Sequence, residues 1–325
     1  MPHVKTLLAE RGTTFSNFFV TNSLCCPSRS SILRGQYVHN HEALGNTTLL
    51  GGFEEFYALG HEDSTIANWL RAAGYRTSLI GKYLNNYPDT TAQNHVPLGW
   101  DHWVSPVYNT GYQGYLYVLS ENGTLVPYGT EPRDYFNDVV SLMANVFIKE
   151  AARHRQPFFL YLATYAPHPP ATPAPRYSTL FLNVTAPRTP SFNEVDALYR
   201  RRLRFLQAVD EMVASLIGTL ASIGQLDNTH IFFTSDNGFH LGQHRMREGE
   251  KNHYEEDIHV PLIVRGPGVP ARHAVDHLAV EIDLAPTLAG LGGAAVPHFA
   301  DGRSLVPLLH RRLSVSQENS RQCLL

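Results

Sequence analysis

The sequence predicts an α/β fold, a doubly wound and mostly parallel sheet with helices on both faces. Short apolar runs alternate with longer helical patterns along the chain. The apolar runs are continuous, as is typical of strands covered on both faces. This alternation predicts parallel strands joined by right-handed crossovers. The chain has 325 residues and no internal repeat or linker, which favours a single large domain.

Four apolar runs predict buried strands, and three amphipathic patterns predict helices between them. The predicted strands cover residues 75–80, 157–164, 230–234 and 260–264. The predicted helices cover residues 65–73, 135–152 and 198–223, with Ser64 as the first N-cap and Gly74 and Gly224 as stops. Residues 108–128 predict a hairpin or a substrate-facing loop, and the proline-rich stretch 167–190 predicts a loop around the rim of a site.

Composition excludes several classes of protein. The formal charge is −3, so no basic face for nucleic acid is expected. No apolar run reaches the ~18 residues of a membrane span, and the first residues, MPHVKTLLAERG, lack the apolar core of a signal peptide. The three cysteines form no disulfide framework. Glycosylation sequons lie at Asn46, Asn122 and Asn183.

The stretch 24–37, LCCPSRSSILRGQY, is the most informative part of the chain. Cys25 precedes a proline that can start a helix, and the positive end of a helix favours anions and lowers the pKa of a cysteine. Arg29 lies one turn further and suits a tetrahedral oxyanion, while Gly35 is a plausible C-cap. The alternative is a buried structural cysteine before an ordinary helix.

Polar groups follow three of the predicted strands. Lys82 follows the first strand, His168 the second, and Asp236 with Asn237 the third. Ligands bind beyond the carboxyl ends of strands in open α/β sheets, so we expect these side chains to meet Cys25 and Arg29 at one edge. Asp236 and Asn237 offer hard oxygen ligands for calcium or magnesium. The cations Lys82 and Lys251 suit a tetrahedral anion, and His168 suits proton transfer.

The motif Cys25-Cys26-Pro27-Ser28-Arg29, followed by Leu33-Arg34-Gly35, resembles the maturation motif of the sulfatase family. Other ordered matches support the resemblance from near residue 10 to about residue 309. They are GYRTSLIGKYL at 74–84, FTSDNG at 233–238 and KNHYE at 251–255. GQYVHNH, HVPLGW, LIVRGPG and IDLAPT look most like the N-acetylglucosamine-6-sulfatase and arylsulfatase branch.

The resemblance implies an alkaline-phosphatase-like fold and a sulfuric ester hydrolase. It implies that a formylglycine-generating enzyme converts Cys25 to formylglycine, whose hydrate is the nucleophile and a metal ligand. Arg29 would hold that residue, while Lys82, His168 and Lys251 would grip sulfate. Asp236 and Asn237 would bind one divalent cation, usually calcium. His39 is a candidate for the base in sulfate release, and the alternative is a structural or exposed histidine.

The ends of the chain depart from the family pattern. Relatives begin with an apolar strand that ends in an Asp-Asp pair, and nothing before Cys25 matches it. We expect an incomplete catalytic domain over 1–310 and a divergent polar tail over 311–325, with no C-terminal subdomain. The sulfated small molecule or glycan substrate would be met in the secretory pathway, in a lysosome or outside the cell. The alternatives are a catalytically dead binding protein and, less favoured, a phosphoesterase of the same superfamily.

Overall fold

The fold is described here by a computed structural model that covers residues 1–88, 94–188 and 195–310. The predicted polar tail 311–325 and the last two residues of the predicted rim loop 167–190 lie outside the described residues.

Strands and helices alternate along the described chain. The strands are β1 (Thr13–Phe15), β2 (Phe18–Phe19), β3 (Arg76–Gly81), β4 (His102–Pro106), β5 (Val118–Glu121), β6 (Thr124–Pro127), β7 (Phe158–Ala163), β8 (Ile231–Thr234), β9 (Leu262–Arg265), β10 (His273–Val275) and β11 (Ala279–Val280). The helices are α1 (Cys25–Arg34), α2 (Val38–His41), α3 (Gly52–Ala58), α4 (Ile66–Ala72), α5 (Phe136–Arg153), α6 (Asp196–Ser222), α7 (Glu255–Ile258), α8 (Leu284–Gly292) and α9 (Val306–Leu309).

The predicted elements are present. The four predicted strands correspond to β3, β7, β8 and β9, and the three predicted helices to α4, α5 and α6. The predicted hairpin at 108–128 contains the antiparallel pair β5 and β6. Gly35 ends α1 in the left-handed region, at φ +66°, as a C-cap glycine does. The N-cap of α4 is Thr65 and not Ser64, because Asn68 Oδ1 accepts from both the backbone N and the hydroxyl of Thr65.

The strands lie in mixed sheets. One sheet has the order β6-β5-β4-β3-β7, in which β4, β3 and β7 are parallel and the hairpin is antiparallel. Another has the order β10-β1-β9-β8, and β11 pairs with β2 in a third. The runs 230–234 and 260–264 were expected to be parallel strands, but β9 is antiparallel to both β1 and β8, and β8 makes no other pairing among the described residues. A continuous apolar run reports burial on both faces and carries no information on direction.

Helices cover both faces of these sheets. On one face α5 and α6 pack together, and Met212 of α6 lies in a cluster with Phe147 of α5 and Ile80 of β3. On the other face α1 lies among α2, α3, α4 and α8. Among the described helices, none is both long enough and apolar enough to span a bilayer.

Candidate active site

Helix α1 places Cys25 at its first turn, in the core of the molecule. The Cys25 side chain is almost completely buried, and so is that of its neighbour Cys26. Asn46 Oδ1 accepts from the backbone N of Cys26 at 2.8 Å and so satisfies one free donor of the helix start. Burial raises the pKa of the Cys25 thiol, although Lys82 opposes the rise. The lowered pKa expected from the helix end is therefore wrong for this thiol, because desolvation outweighs the helix dipole and the nearby cation.

Arg29 connects α1 to the ends of two strands. Its Nε donates to Asp236 Oδ2 at 2.8 Å, just beyond β8. Its Nη1 donates to the backbone O of Lys82 at 2.7 Å, just beyond β3. Ser28 adds a hydrogen bond from its hydroxyl to the backbone O of Asp236. The predicted convergence of the helix start with two strand ends is thus present in the geometry.

Lys82 is a buried cation beside Cys25. Its ammonium group lies 5.4 Å from the centroid of the Tyr112 ring and 5.6 Å from that of Tyr165, within cation–π range. Burial alone would lower the pKa of Lys82, but electrostatic interactions with Cys25, Tyr112 and Asp236 outweigh it, and the pKa lies above its ordinary value. Lys82 therefore stays charged and presents a positive point charge to the site.

His168 follows β7 and turns back into the site. Its backbone N donates to the Tyr165 carbonyl at 2.7 Å, and its ring lies 4.6 Å from the ring of Tyr112, centroid to centroid. Its Nδ1 contacts the carbonyl of Pro169, which fixes the hydrogen on Nδ1 and leaves the lone pair on Nε2. Burial lowers the pKa of His168, and Lys82 adds to this. A neutral imidazole is the form that accepts a proton or binds a metal.

Asp236 and Asn237 supply oxygen atoms at the end of β8. Burial would raise the pKa of Asp236, but Arg29 and Lys82 outweigh it and hold this pKa below its ordinary value. The Oδ1 atom of Asn237 is buried and has no hydrogen-bond partner among the described residues. A buried oxygen that has no hydrogen-bond partner and lies beside a carboxylate is the type of ligand that a hard divalent cation binds. Calcium takes about six to eight oxygen ligands, so these two residues would supply only part of its coordination shell.

Glu250 is a member of the site that the sequence did not predict. Its Oε1 lies 3.7 Å from Cys25 Sγ, and its Oε2 accepts from Asn237 Nδ2 at 2.8 Å. The ligand atoms of Cys25, His168 and Glu250 all lie within 4.8 Å of one another. The nearest signal in the sequence is that Glu250 directly precedes the KNHYE segment.

Two further residues were not predicted individually because they follow no predicted strand, although Tyr112 lies in the stretch 108–128 that was expected to form a hairpin or a substrate-facing loop. Tyr112 contacts both Lys82 and His168 from the loop before β5. Arg202, in the second turn of α6, donates to the Pro167 carbonyl at 3.0 Å. Burial lowers the pKa of Arg202 to about 10. A half-buried cation beside the His168 segment is suited to binding an anionic group of a ligand.

The remaining predicted residues lie at the surface or in loops. Lys251 is exposed, and its backbone N donates to the Ser23 carbonyl at 3.0 Å, which anchors its segment near the start of α1. Its side chain makes no ion pair with another described residue. His39 is exposed and stacks on Tyr37. The sequon residues Asn122 and Asn183 are exposed, whereas Asn46 is half-buried.

Comparison with known proteins decides the family. The family described as Sulfatase matches residues 1–294. The chain belongs to the sulfatase family. Human N-acetylglucosamine-6-sulfatase is 39% identical over 333 residues, which are 94% of this chain and 60% of the human protein. The extracellular sulfatase SULF-1 homolog of Drosophila melanogaster is 35% identical over 98% of this chain and 30% of its own length. This sulfatase chain thus spans well under two thirds of these relatives.

Solved structures show the same fold. A protein in complex with its substrate D-glucosamine-2-N,6-O-disulfate has a TM-score of 0.79 and 24% identity, over 95% of this chain and 75% of that chain. A phosphonate monoester hydrolase from Silicibacter pomeroyi has a TM-score of 0.76 and 26% identity, over 97% of this chain and 72% of that chain. The alkaline-phosphatase-like α/β fold expected from the sequence is therefore confirmed.

Proposed function

We propose that this sulfatase-family chain carries the catalytic core of a sulfuric ester hydrolase that acts on a sulfated sugar. The convergence of Cys25, Arg29, Lys82 and Asp236 is the observation that carries the proposal. Hydrolysis of a sulfate ester by water yields an alcohol, sulfate and a proton. The buried Lys82 beside the position of the nucleophile stabilises negative charge on the oxygens of sulfate as the ester bond breaks.

Each side chain has a proposed part in the reaction. Cys25, once converted to formylglycine, supplies an oxygen nucleophile as the hydrated aldehyde. Arg29 holds Asp236 in place, while Lys82 binds sulfate from within the site and Lys251 from the rim. A neutral His168 takes a proton at Nε2 from the hydroxyl of the hydrated aldehyde as it attacks sulfur, and gives that proton to the oxygen of the leaving alcohol.

The cation site involves Asp236, Asn237 and the modified residue 25. Calcium, when bound there, supplies positive charge that polarises sulfate. Asn237 contributes the unpaired Oδ1, and Asp236 contributes its carboxylate, which also binds Arg29. These residues would hold the cation close to the position of residue 25.

The relatives support a sugar sulfate and a secretory location. Two of them are named as an N-acetylglucosamine-6-sulfatase and an extracellular sulfatase, and one solved protein of this fold binds a disulfated glucosamine. We therefore propose a 6-sulfated glucosamine unit as substrate, maturation by a formylglycine-generating enzyme, and glycosylation at Asn46, Asn122 and Asn183 in a lysosomal or extracellular protein.

Conversion of Cys25 tests the proposal. In cells with formylglycine-generating activity, we expect peptide mass spectrometry to find the aldehyde at Cys25, with Cys26 unmodified. Cys26→Ser should still be converted at Cys25, and Cys25→Ser should show no aldehyde at either position. A free thiol at Cys25 in every preparation, beside a converted control sulfatase, would contradict the formylglycine mechanism.

A phosphonate monoester hydrolase is the second candidate, because one structural neighbour at 26% identity has that activity. The two functions are separated by kcat/KM of the converted chain, fused to an apolar strand that ends in Asp-Asp and assayed in excess calcium, for an aryl sulfate and for the matching phosphonate monoester. We expect the sulfate ester to be preferred. A preference for the phosphonate by tenfold or more would favour the second candidate.

A further inference from the structure

We propose that the chain, before Cys25 is modified, binds zinc through Cys25, His168 and Glu250. These residues come from three separate segments: the start of α1, the stretch after β7 and the stretch before α7. One sulfur, one nitrogen and one oxygen ligand atom lie within 4.8 Å of one another. The site differs in chemistry from the proposed oxygen site of Asp236 and Asn237, with which it shares residue 25, and the statement that zinc is confined to the unmodified form rests on the proposed conversion of Cys25.

The spacing of the ligand atoms suits a tetrahedral ion. Bonds of 2.0–2.3 Å at tetrahedral angles place two ligand atoms about 3.6 Å apart. Cys25 Sγ and Glu250 Oε1 already lie 3.7 Å apart. Only the His168 nitrogen has to move closer, by about 1.3 Å at most, to complete three ligands.

Neighbouring groups hold two of the ligands in the required form. The Nδ1 atom of His168 contacts the Pro169 carbonyl, so the lone pair remains on Nε2. Asn237 Nδ2 donates to Glu250 Oε2, which leaves Oε1 facing the thiol. Such outer hydrogen bonds fix the tautomer of histidine and the orientation of carboxylate ligands in zinc sites.

The donor set selects zinc over calcium. Calcium binds oxygen atoms, whereas zinc accepts thiolate, imidazole and carboxylate together. The thiolate and Glu250 bring two negative charges, which offset the fixed cation of Lys82 nearby. Three protein ligands leave a fourth position open, which water fills.

Binding is a proton exchange with no redox step. The Cys25 thiol releases its proton to solvent, and the sulfur then forms the bond to zinc. Conversion of Cys25 to the aldehyde removes the sulfur atom, so the modified protein lacks one of the three ligands. Zinc therefore marks the immature form of the protein.

Cobalt and zinc binding by the unmodified protein test this inference. The chain is purified from a host without formylglycine-generating activity and is titrated with Zn²⁺ against a chromophoric chelator. We expect one zinc per chain. Cobalt(II) should give a thiolate-to-metal charge-transfer band in the near ultraviolet, and added Zn²⁺ should remove it.

Variants identify the ligands. Cys25→Ser should abolish the cobalt–thiolate band, while His168→Gln and Glu250→Gln should each weaken zinc binding at least tenfold. Cys26→Ser is the matched control and should bind normally, because Cys26 lies outside the ligand cluster and packs in the core. Circular dichroism checks the folding of each variant, and Cys26→Ser reports any general effect of substitution at this buried turn.

The inference is overturned if the unmodified chain shows no cobalt–thiolate band. It is also overturned if Cys25→Ser or Glu250→Gln, in folded form, binds zinc as tightly as the starting protein. The 17 histidines of the chain give background binding, and the thiolate band separates that background from this site. No sulfate ester is present in the zinc and cobalt assays, so neither their success nor their failure bears on whether the converted protein hydrolyses sulfate esters.

Discussion

Arg29 joins three parts of the active site through one buried guanidinium group. It pairs with Asp236 and binds the carbonyl of Lys82, and its side chain is 6% exposed against 21% for Asp236. Removal of one partner of a buried pair leaves the other charge without compensation. The stability of the site therefore depends on the pair being complete.

We predict that Arg29→Met lowers the free energy of unfolding by about 3 kcal/mol, because Asp236 is left as an unpaired, largely buried charge. The double variant Arg29→Met, Asp236→Asn should regain at least half of the loss. Urea denaturation measures both. Arg71→Met is the control, since it breaks the exposed pair with Asp101 and should cost no more than about 1 kcal/mol. Equal losses for Arg29→Met and Arg71→Met would contradict this account.

The sequence predicted those site residues that lie at the end of a predicted strand or at the start of a predicted helix. Lys82 and Asp236 come just after strands, and Cys25 and Arg29 lie in the first turns of a helix. Glu250 lies in a loop and has no such marker. Its contact with Cys25 depends on how a segment distant in the chain packs, which short-range patterns do not report.

At the scale of elements, hydrogen bonds from Thr21 to Glu281 connect the segment after β2 to the segment after β11. These two strands are parallel, and both Glu281 carboxylate oxygens accept from the backbone N of Thr21, at 2.7 and 2.8 Å. Oε1 also accepts from the Thr21 hydroxyl at 2.6 Å. Burial nevertheless raises the pKa of Glu281 to about 7, because its side chain has no contact with solvent.

We predict that Glu281 makes the protein less stable as pH rises from about 4.5 to about 7. In that window the folded protein retains a proton that the unfolded chain has lost, so stability falls with pH. The shift corresponds to about 3 kcal/mol across the window. Denaturation midpoints at several pH values should show this decline for the parent and for the exposed control Glu248→Gln, and not for Glu281→Gln. An unchanged pH slope in Glu281→Gln would exclude this role.

The sequence predicted the presence and extent of elements better than their pairing. The run at 260–264 was recognised as a buried strand and forms β9, but its antiparallel pairing with β8 was missed. Hydrophobic periodicity reports which faces are covered. Strand order and direction depend on contacts between distant parts of the chain. The local pattern of residues in a single sequence does not report such contacts.

At the scale of the whole molecule, β7 and β8 each have an open edge within the described chain. β7 pairs with β3 alone and β8 with β9 alone. The same layers of the fold cover both strands. Helix α6 packs on β7 through Met212 and on β8 through Ile217. Tyr161 of β7 and Phe232 of β8 pack against one shared hydrophobic cluster. Two open edges between common layers present backbone groups that a further strand can pair with.

The proposed calcium site lies in this same region of the fold. Among the described residues we assign it two oxygen donors, Asp236 and Asn237, and Arg29 already neutralises Asp236. Calcium prefers about six to eight oxygen ligands. The family resemblance places an Asp-Asp pair at the end of an apolar strand, and a strand between β7 and β8 would carry that pair to the edge where Asp236 lies.

We predict negligible aryl sulfate hydrolysis by the 325-residue chain and a gain of at least a hundredfold when an apolar strand ending in Asp-Asp is fused ahead of it. The added carboxylates would supply charge and ligands for calcium, which then polarises sulfate. Formylglycine content is measured in both proteins, so that rates are compared per converted site. The same strand ending in Asn-Asn is the matched control, and Asp236→Ala should abolish the gained activity. Robust turnover by the chain without the added strand would show that Asp236 and Asn237 suffice to hold the cation.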